Sequence, residues 1–136
     1  DSTGEMSDVD LPLIRLAEIY LNYAEATLRG GGGNPGLAVD KINELRERAY
    51  GDDSGNITSS DLTLDFILDE RARELYWEMH RRTDLVRYGR FTSSDYLWSW
   101  KGGLQEGKAV SENKNIFPLP TSDVAANPYL EQNPGY

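Results

Sequence analysis

Apolar and polar positions alternate with helical spacing along the first two-thirds of the chain. In PLIRLAEIYLNYAEATLR (12–29), Leu13, Leu16, Ala17, Tyr20, Ala24, Ala26 and Leu28 follow one stripe. Arg15, Glu18, Asn22, Glu25 and Arg29 occupy much of the remaining surface. Ile14, Ile19, Leu21 and Tyr23 widen the apolar part, which predicts a helix with neighbours on more than one side. Pro12 suits a first helical turn, where its missing N–H costs nothing. The run Gly30–Gly33 ends the helix and is expected to be a flexible surface connector. No GK[ST] follows it, so it is not a phosphate loop.

Asn34 and Pro35 are a helix cap and a first helical position, opening a second helix over 35–49. Its buried stripe is expected at Leu37, Ala38, Ile42, Leu45 and Ala49, with Lys41, Glu44, Glu47 and Arg48 in water. A third helix is predicted over 63–82, capped by Thr63, with Asp65 favourably placed in its first turn. Its stripe is Leu64, Ile67, Leu68, Ala72, Leu75 and Met79. A short fourth helix, 83–88, or a kinked extension of the third, is anchored by Leu85 and Val86 and stopped by Gly89.

Periodicity is then lost. Residues 92–136 read as irregular, as do residues 1–10 at the other end. Pro118, Pro120, Pro128 and Pro134 predict an extended C-terminal strap over the helices, with Asp123–Ala126 forming one turn. Its plugs are expected to be Ile116, Phe117, Leu119, Tyr129, Leu130 and Tyr136. The fold class is thus mostly α: an antiparallel helix pair of tetratricopeptide size, further helices, an irregular loop and a Pro-rich strap. One copy of the pair is visible, so no repeat array follows.

Composition narrows the function. The 136 residues suffice for one domain. Fourteen Lys and Arg against 23 Asp and Glu leave a charge of −9, which argues against a nucleic-acid backbone and against an anionic membrane surface as partners. With no cysteine and one histidine, thiol chemistry and a thiolate or His-rich metal centre are excluded, and no cofactor is implied. No apolar run reaches the roughly 18 residues of a membrane span. A start at Asp1 reads as a mature or truncated product.

The densest chemical signal is ERARELYWEMHRRTDLVR. Glu70, Glu74 and Glu78 recur every four residues and predict a carboxylate row along one helix edge. Arg71, Arg73, Arg81, Arg82 and Arg87 are available to interleave, with Glu78 meeting Arg82 and Asp84 meeting Arg87 or Arg81. The expectation is a partly buried ion network of Glu70, Arg71, Glu74, Glu78, Arg82, Asp84 and Arg87, joining the third helix to the first pair and to the tail. Glu74 and Glu78 also have the spacing of a glycosidase pair. The surrounding arginines oppose that role, because they hold carboxyls ionised where one must stay protonated.

His80 has no catalytic or metal partner in this pattern and reads as a surface or interhelical residue. Tyr76 and Trp77 are expected in core or interdomain packing. Tyr96, Trp98 and Trp100 are candidate ligand-binding residues, since Trp98 and Trp100 alternate and could share one face of an extended stretch. In GDDSGNITSSD (51–61) the acids lack the EF-hand register, and the Asn56-Ile57-Thr58 glycosylation pattern matters only in a eukaryotic secreted protein; a polar turn is the simpler reading of both.

Four blocks in order resemble the C-terminal region of the SusD/RagB family, the surface nutrient-binding lipoproteins of Bacteroidetes. They are RLAEIYLNYAEA (15–26), AVDKINELRERA (38–49), ILDERARELYWEMHRRTDLVRYGRF (67–91) and IFPLPTSDVAANPYLEQNPGY (116–136). The resemblance covers the chain from about Leu11 and implies a non-catalytic protein several hundred residues long. It implies tetratricopeptide-like helix pairs, an N-terminal lipid anchor and a place on the outer surface of the outer membrane. A SusC-type TonB-dependent transporter would be the partner, and an oligosaccharide or other nutrient the ligand. The N-terminal region of such a protein is missing from this chain. A helical scaffold that mainly contacts the transporter is the alternative, and a glycoside hydrolase using Glu74 or Glu78 a remote one. The family's sugar-contacting residues do not match onto this chain one by one.

Overall fold

A computed structural model describes residues 13–136. The lead-in at 1–10 and the helix start at Pro12 lie outside the described residues. The chain divides into two compact units, residues 1–81 and 82–136. Five α-helices and no strand occur among the described residues: α1 (Leu16–Leu28), α2 (Pro35–Tyr50), α3 (Leu64–Glu74), α4 (Arg81–Arg87) and α5 (Thr121–Ala126). None of these helices is long and apolar enough to cross a membrane.

In the first unit α1 packs on α2 and on α3. Tyr20 lies beside Lys41 and Glu44, and Tyr23 accepts a hydrogen bond from the Asn34 N–H, so α1 and α2 run in opposite senses. Arg15 reaches Glu74 while Asn22 meets Arg71, so α3 is antiparallel to α1 as well. The core is Ala17, Leu21 and Ala24 of α1, Ala38, Val39, Ile42 and Leu45 of α2, with Leu62, Ile67 and Leu75. Truncating one of the fully buried members such as Leu21 or Ile42 to alanine costs about 2–5 kcal/mol, the lost transfer energy plus a cavity.

The helix starts follow the sequence signals. The Asn34 side chain accepts from the N–H groups of Gly36 and Leu37, with Pro35 at the first position. Thr63 accepts from the Phe66 N–H. Gly51, in the left-handed region with φ 82°, closes α2. The glycine run is the expected surface connector between α1 and α2 and takes a turn conformation. Gly30 and Gly31 donate back to Thr27 O and Ala26 O, and a Cβ on Gly33 would overlap Thr27 Oγ1. The run therefore lets the connection fold tightly over the end of α1.

Four expectations about the first unit are corrected. α1 begins at Leu16 because Arg15 holds extended backbone while its guanidinium turns toward α3, and this leaves Leu13 and Ile14 outside the helix. Leu13, Leu16, Leu37 and Ala49 are exposed, whereas Leu21 and Val39 join the core. The third helix stops at Glu74 instead of 82. Arg15 Nη2 donates to the Glu74 carbonyl at 2.8 Å, satisfying a terminal acceptor that further helix would have used. Trp77 and Met79 beyond it take φ of 67° and 64°, which costs a non-glycine residue about 1–2 kcal/mol each. Met79 therefore leaves the expected stripe, and Tyr76 and Trp77 lie outside the core of this unit, with Trp77 85% and Met79 79% accessible.

In the second unit α4 ends in a turn with Gly89 at φ 68°, where Arg90 donates to Leu85 O. Asp84 and Leu85 of α4 are buried, and Arg87 Nη2 donates to Asp84 Oδ1 at 2.6 Å. The tail is held mainly by side-chain amides and by Tyr136. Gln132 mimics a backbone partner for Leu119, accepting from its N–H at 2.8 Å and donating to its carbonyl at 2.9 Å. Asn133 donates to Phe117 O, and Tyr136 Oη to Ile116 O. Of the expected plugs, Ile116, Phe117, Tyr129, Leu130 and Tyr136 are exposed, because these polar groups fix the segment without burying the apolar ones.

Candidate functional site

Two constellations stand out, one in each unit. The first is an arginine–carboxylate cluster on α3. Glu70 Oε2 accepts from Arg46 Nη1 at 2.8 Å and from Arg73 Nη2 at 2.6 Å. Glu74 accepts from Arg15 Nη1 at 3.0 Å and Arg48 Nη2 at 2.6 Å, so one carboxylate ties α3 to both α1 and α2. Glu78 is gripped by the same Arg15 through Nε at 2.9 Å and Nη2 at 2.7 Å. Arg46 also donates to Gly55 O and lies between the rings of Tyr50 and Phe66.

Of the residues expected in the network, Glu70, Glu74 and Glu78 are ion-paired in the first unit. Arg71 is buried and donates to Asn22 Oδ1 at 2.7 Å. The expected Glu78–Arg82 pair is replaced by Glu78–Arg15, since α3 has ended and the one-turn spacing no longer applies. Arg82 instead donates to Lys114 O at 2.8 Å and stacks 3.8 Å from the Phe117 ring, in the second unit. His80 Nδ1 lies 3.9 Å from Glu18 Oε1.

The electrostatics of this cluster oppose acid catalysis. The Arg15 guanidinium holds the Glu78 carboxyl below its usual range by direct hydrogen bonding. A glycosidase acid needs the opposite shift. Among the described residues no three His, Cys, Asp or Glu side chains gather as a metal site. In the 51–61 loop, Asp52 accepts from the Ser54 N–H and the Asn56 amide donates to Glu47.

The second constellation surrounds Tyr96, Trp98 and Trp100. Lys101, 2% exposed, donates its ammonium to the carbonyls of Ser93 and Tyr96 at 2.7 Å each and of Arg90 at 3.2 Å. Burial pushes its pKa down, with Asp95 opposing. The Trp98 ring covers this ammonium at 4.6 Å, and Tyr96 meets Trp98 edge-on at 6.3 Å. Trp98 and Trp100 do not share an extended face. Lys101 N–H closes a turn on Trp98 O, and Trp100 sits in the left-handed region with φ 70°. Trp100 is 67% exposed, Trp98 38%, and Tyr96 is half-buried.

Sequence reasoning missed Arg15, Arg46, Lys101 and Gln132. Arg46 sits on the polar side of an amphipathic helix and Arg15 directly before one, where a bonded arginine looks like a solvated one. For Lys101 the signal was a cation directly after an aromatic cluster and before Gly102-Gly103. For Gln132 it was an amide inside a proline-bounded ending, where few backbone partners are available.

The chain matches the model of the SusD family, SusD_RagB, over residues 1–136. The starch-binding protein SusD of Bacteroides thetaiotaomicron is 47% identical over 131 residues, 95% of this chain and 22% of that protein. SusD-like protein P25 of Formosa agariphila is 39% identical, over 87% of this chain and 22% of its own length. Among solved structures, surface glycan-binding protein A from Bacteroides thetaiotaomicron superposes with a TM-score of 0.77 at 30% identity, covering 98% of this chain and 27% of that one. A SusD superfamily protein from Bacteroides vulgatus gives 0.68 at 36% identity, covering 91% and 27%. The chain thus spans about a fifth to a third of the length of the curated relatives it matches. With the family model spanning all 136 residues and the helical architecture shared with these structures, the chain belongs to the SusD family.

Proposed function

We propose that this chain is the C-terminal region of a non-catalytic, cell-surface nutrient-binding protein that takes a glycan and passes it to a SusC-type TonB-dependent transporter. The observation that carries this is the 47% identity to a protein named for starch binding, over nearly the whole of this chain. The superposition on surface glycan-binding protein A, solved also in complex with laminarihexaose, supports an oligosaccharide as the ligand class. The closing block IFPLPTSDVAANPYLEQNPGY supports the C-terminal placement. In this reading the α1–α2 pair is tetratricopeptide-like, and a lipid on the missing N-terminal region anchors the protein outside the outer membrane.

Within the chain, Trp98, Trp100 and Tyr96 are the residues proposed to contact sugar, with Trp100 the most open of the three. Affinity electrophoresis of the full-length polypeptide against a glycan panel tests the function. Retardation by at least one polysaccharide is expected. Migration unchanged by every glycan, together with binding of a peptide or small metabolite, removes the glycan assignment.

A second reading is favoured by the tail. Phe117 and Tyr129 are exposed on a segment held by Gln132 and Asn133, as a protein-contact surface would be. In that reading the segment's main work is contact with the transporter. Loss of the co-purified transporter on deleting residues 92–136, with glycan binding retained, favours it.

A further inference from the structure

The end of α3 carries an open recess of about 410 Å³, lined by Ala72, Leu75, Tyr76, Trp77 and Met79, with Arg71 and Arg81 as its polar members. We propose that this recess is the seat of apolar side chains from the remainder of the same polypeptide, and is neither a ligand pocket nor a contact between copies. The inference rests on the reading above that the chain is part of a longer protein.

Three observations carry it. The first is chemical. Sugars need convergent polar groups beside aromatic rings, and here both polar members already have protein partners. Arg71 donates to Asn22 Oδ1 at 2.7 Å, and Arg81 donates to Leu68 O at 2.9 Å. What remains is hydrophobic: Trp77 and Tyr76 with ring centroids 5.9 Å apart, and a methionine, the side chain that best adapts to an irregular apolar neighbour.

The second is conformational. Glu78 is pinned inward by Arg15, and the residues on either side of it, Trp77 and Met79, both take positive φ. The backbone is bent against its preference and turns two large apolar side chains outward. Clustered exposure of this kind marks an interaction surface.

The third is length. SusD of Bacteroides thetaiotaomicron is matched over only 22% of its length, and the superposed glycan-binding protein over 27%. Most of such a polypeptide lies outside these residues, tethered to them at an effective concentration on the order of millimolar. A segment so close outcompetes a second molecule for an apolar seat.

The test is hydroxyl-radical footprinting of the wild-type full-length protein. Oxidation rates of Trp77 and Met79 are read by mass spectrometry against the same protein unfolded in urea. The expected result is slowing by at least about tenfold at both residues, at all protein concentrations and without glycan. Rates within about twofold of the unfolded chain overturn the proposal. So does slowing that appears only as protein concentration rises, which assigns the seat to a second copy, or only on adding laminarihexaose, which assigns it to ligand.

Trp77→Ser provides a second arm. A melting temperature several degrees below wild type supports the seat, and an unchanged one overturns it. The mass of the mature protein separates the two levels of inference. A polypeptide of 15.3 kDa removes the longer-protein reading and this one with it. A longer polypeptide with a freely oxidised Trp77 removes the seat alone.

Discussion

Arg15 shows how one side chain organises the first unit. Its guanidinium fork caps the last carbonyl of α3, pairs with Glu74 and grips Glu78. Lysine offers no planar fork, so Arg15→Lys is a disruptive change here. Replacing Glu78 by alanine removes hydrogen bonds to a charged group and is expected to cost about 2 kcal/mol, read as a lower melting temperature. The acid limb of stability has a definite sign. Folding depresses the Glu78 pKa, so its contribution is complete above the unfolded value of about 4.3 and is lost as pH falls through the lower folded value. Thermal melts across the acid range should show a shallower acid loss in Glu78→Gln than in wild type, and equal slopes would show that this pair carries no linkage. The sequence made the acids and their supply of arginines visible. It did not reveal the partner, because local spacing pairs Glu78 with Arg82, four residues on, while Arg15 lies 63 positions away.

Among the elements, starts were more legible than stops. Caps at Asn34 and Thr63 are local chemistry, so the residues alone announce them. The end of α3 is decided by Arg15, the residue before α1, and apolar periodicity runs straight through it to Met79. Within the glycine connector, composition alone cannot tell a glycine needed for its φ from one needed for close approach. Gly33 is of the second kind. Gly33→Ala is expected to lower stability by about 1–3 kcal/mol by forcing its new Cβ onto Thr27. Adding Thr27→Ala should recover a good part of that loss in a double-mutant cycle, and strictly additive losses would refute the steric cause. The tail gives a matching case. Gln132→Ala removes both bonds to Leu119, so hydrogen exchange in the 116–121 peptide should quicken by about tenfold, whereas unchanged exchange would mean the amide is incidental.

For the whole molecule, family membership was readable because four blocks keep their order, and such blocks record packing positions. Ligand contacts are another matter. They depend on which side chains converge in space, and the alternation of Trp98 and Trp100 suggested a shared face that the turn at Trp98–Lys101 removes. If these rings contact sugar, they do so separately. Trp100→Ala in the full-length protein is then expected to weaken glycan retardation by about tenfold, a loss of about 1.4 kcal/mol in binding, while leaving the melting temperature unchanged. Trp98→Ala should instead lower the melting temperature, because its ring covers the Lys101 ammonium. Equal effects of the two on both readouts would contradict this division.

The caged Lys101 amine has a practical side. The sequence holds four lysines, at 41, 101, 108 and 114, and the last two are exposed. Amine-directed reagents used for dye coupling or bead attachment will modify Lys108 and Lys114 in the folded protein and spare Lys101. A label that does appear at Lys101 therefore dates the moment its loop came open, which makes this one amine a built-in chemical clock for local unfolding.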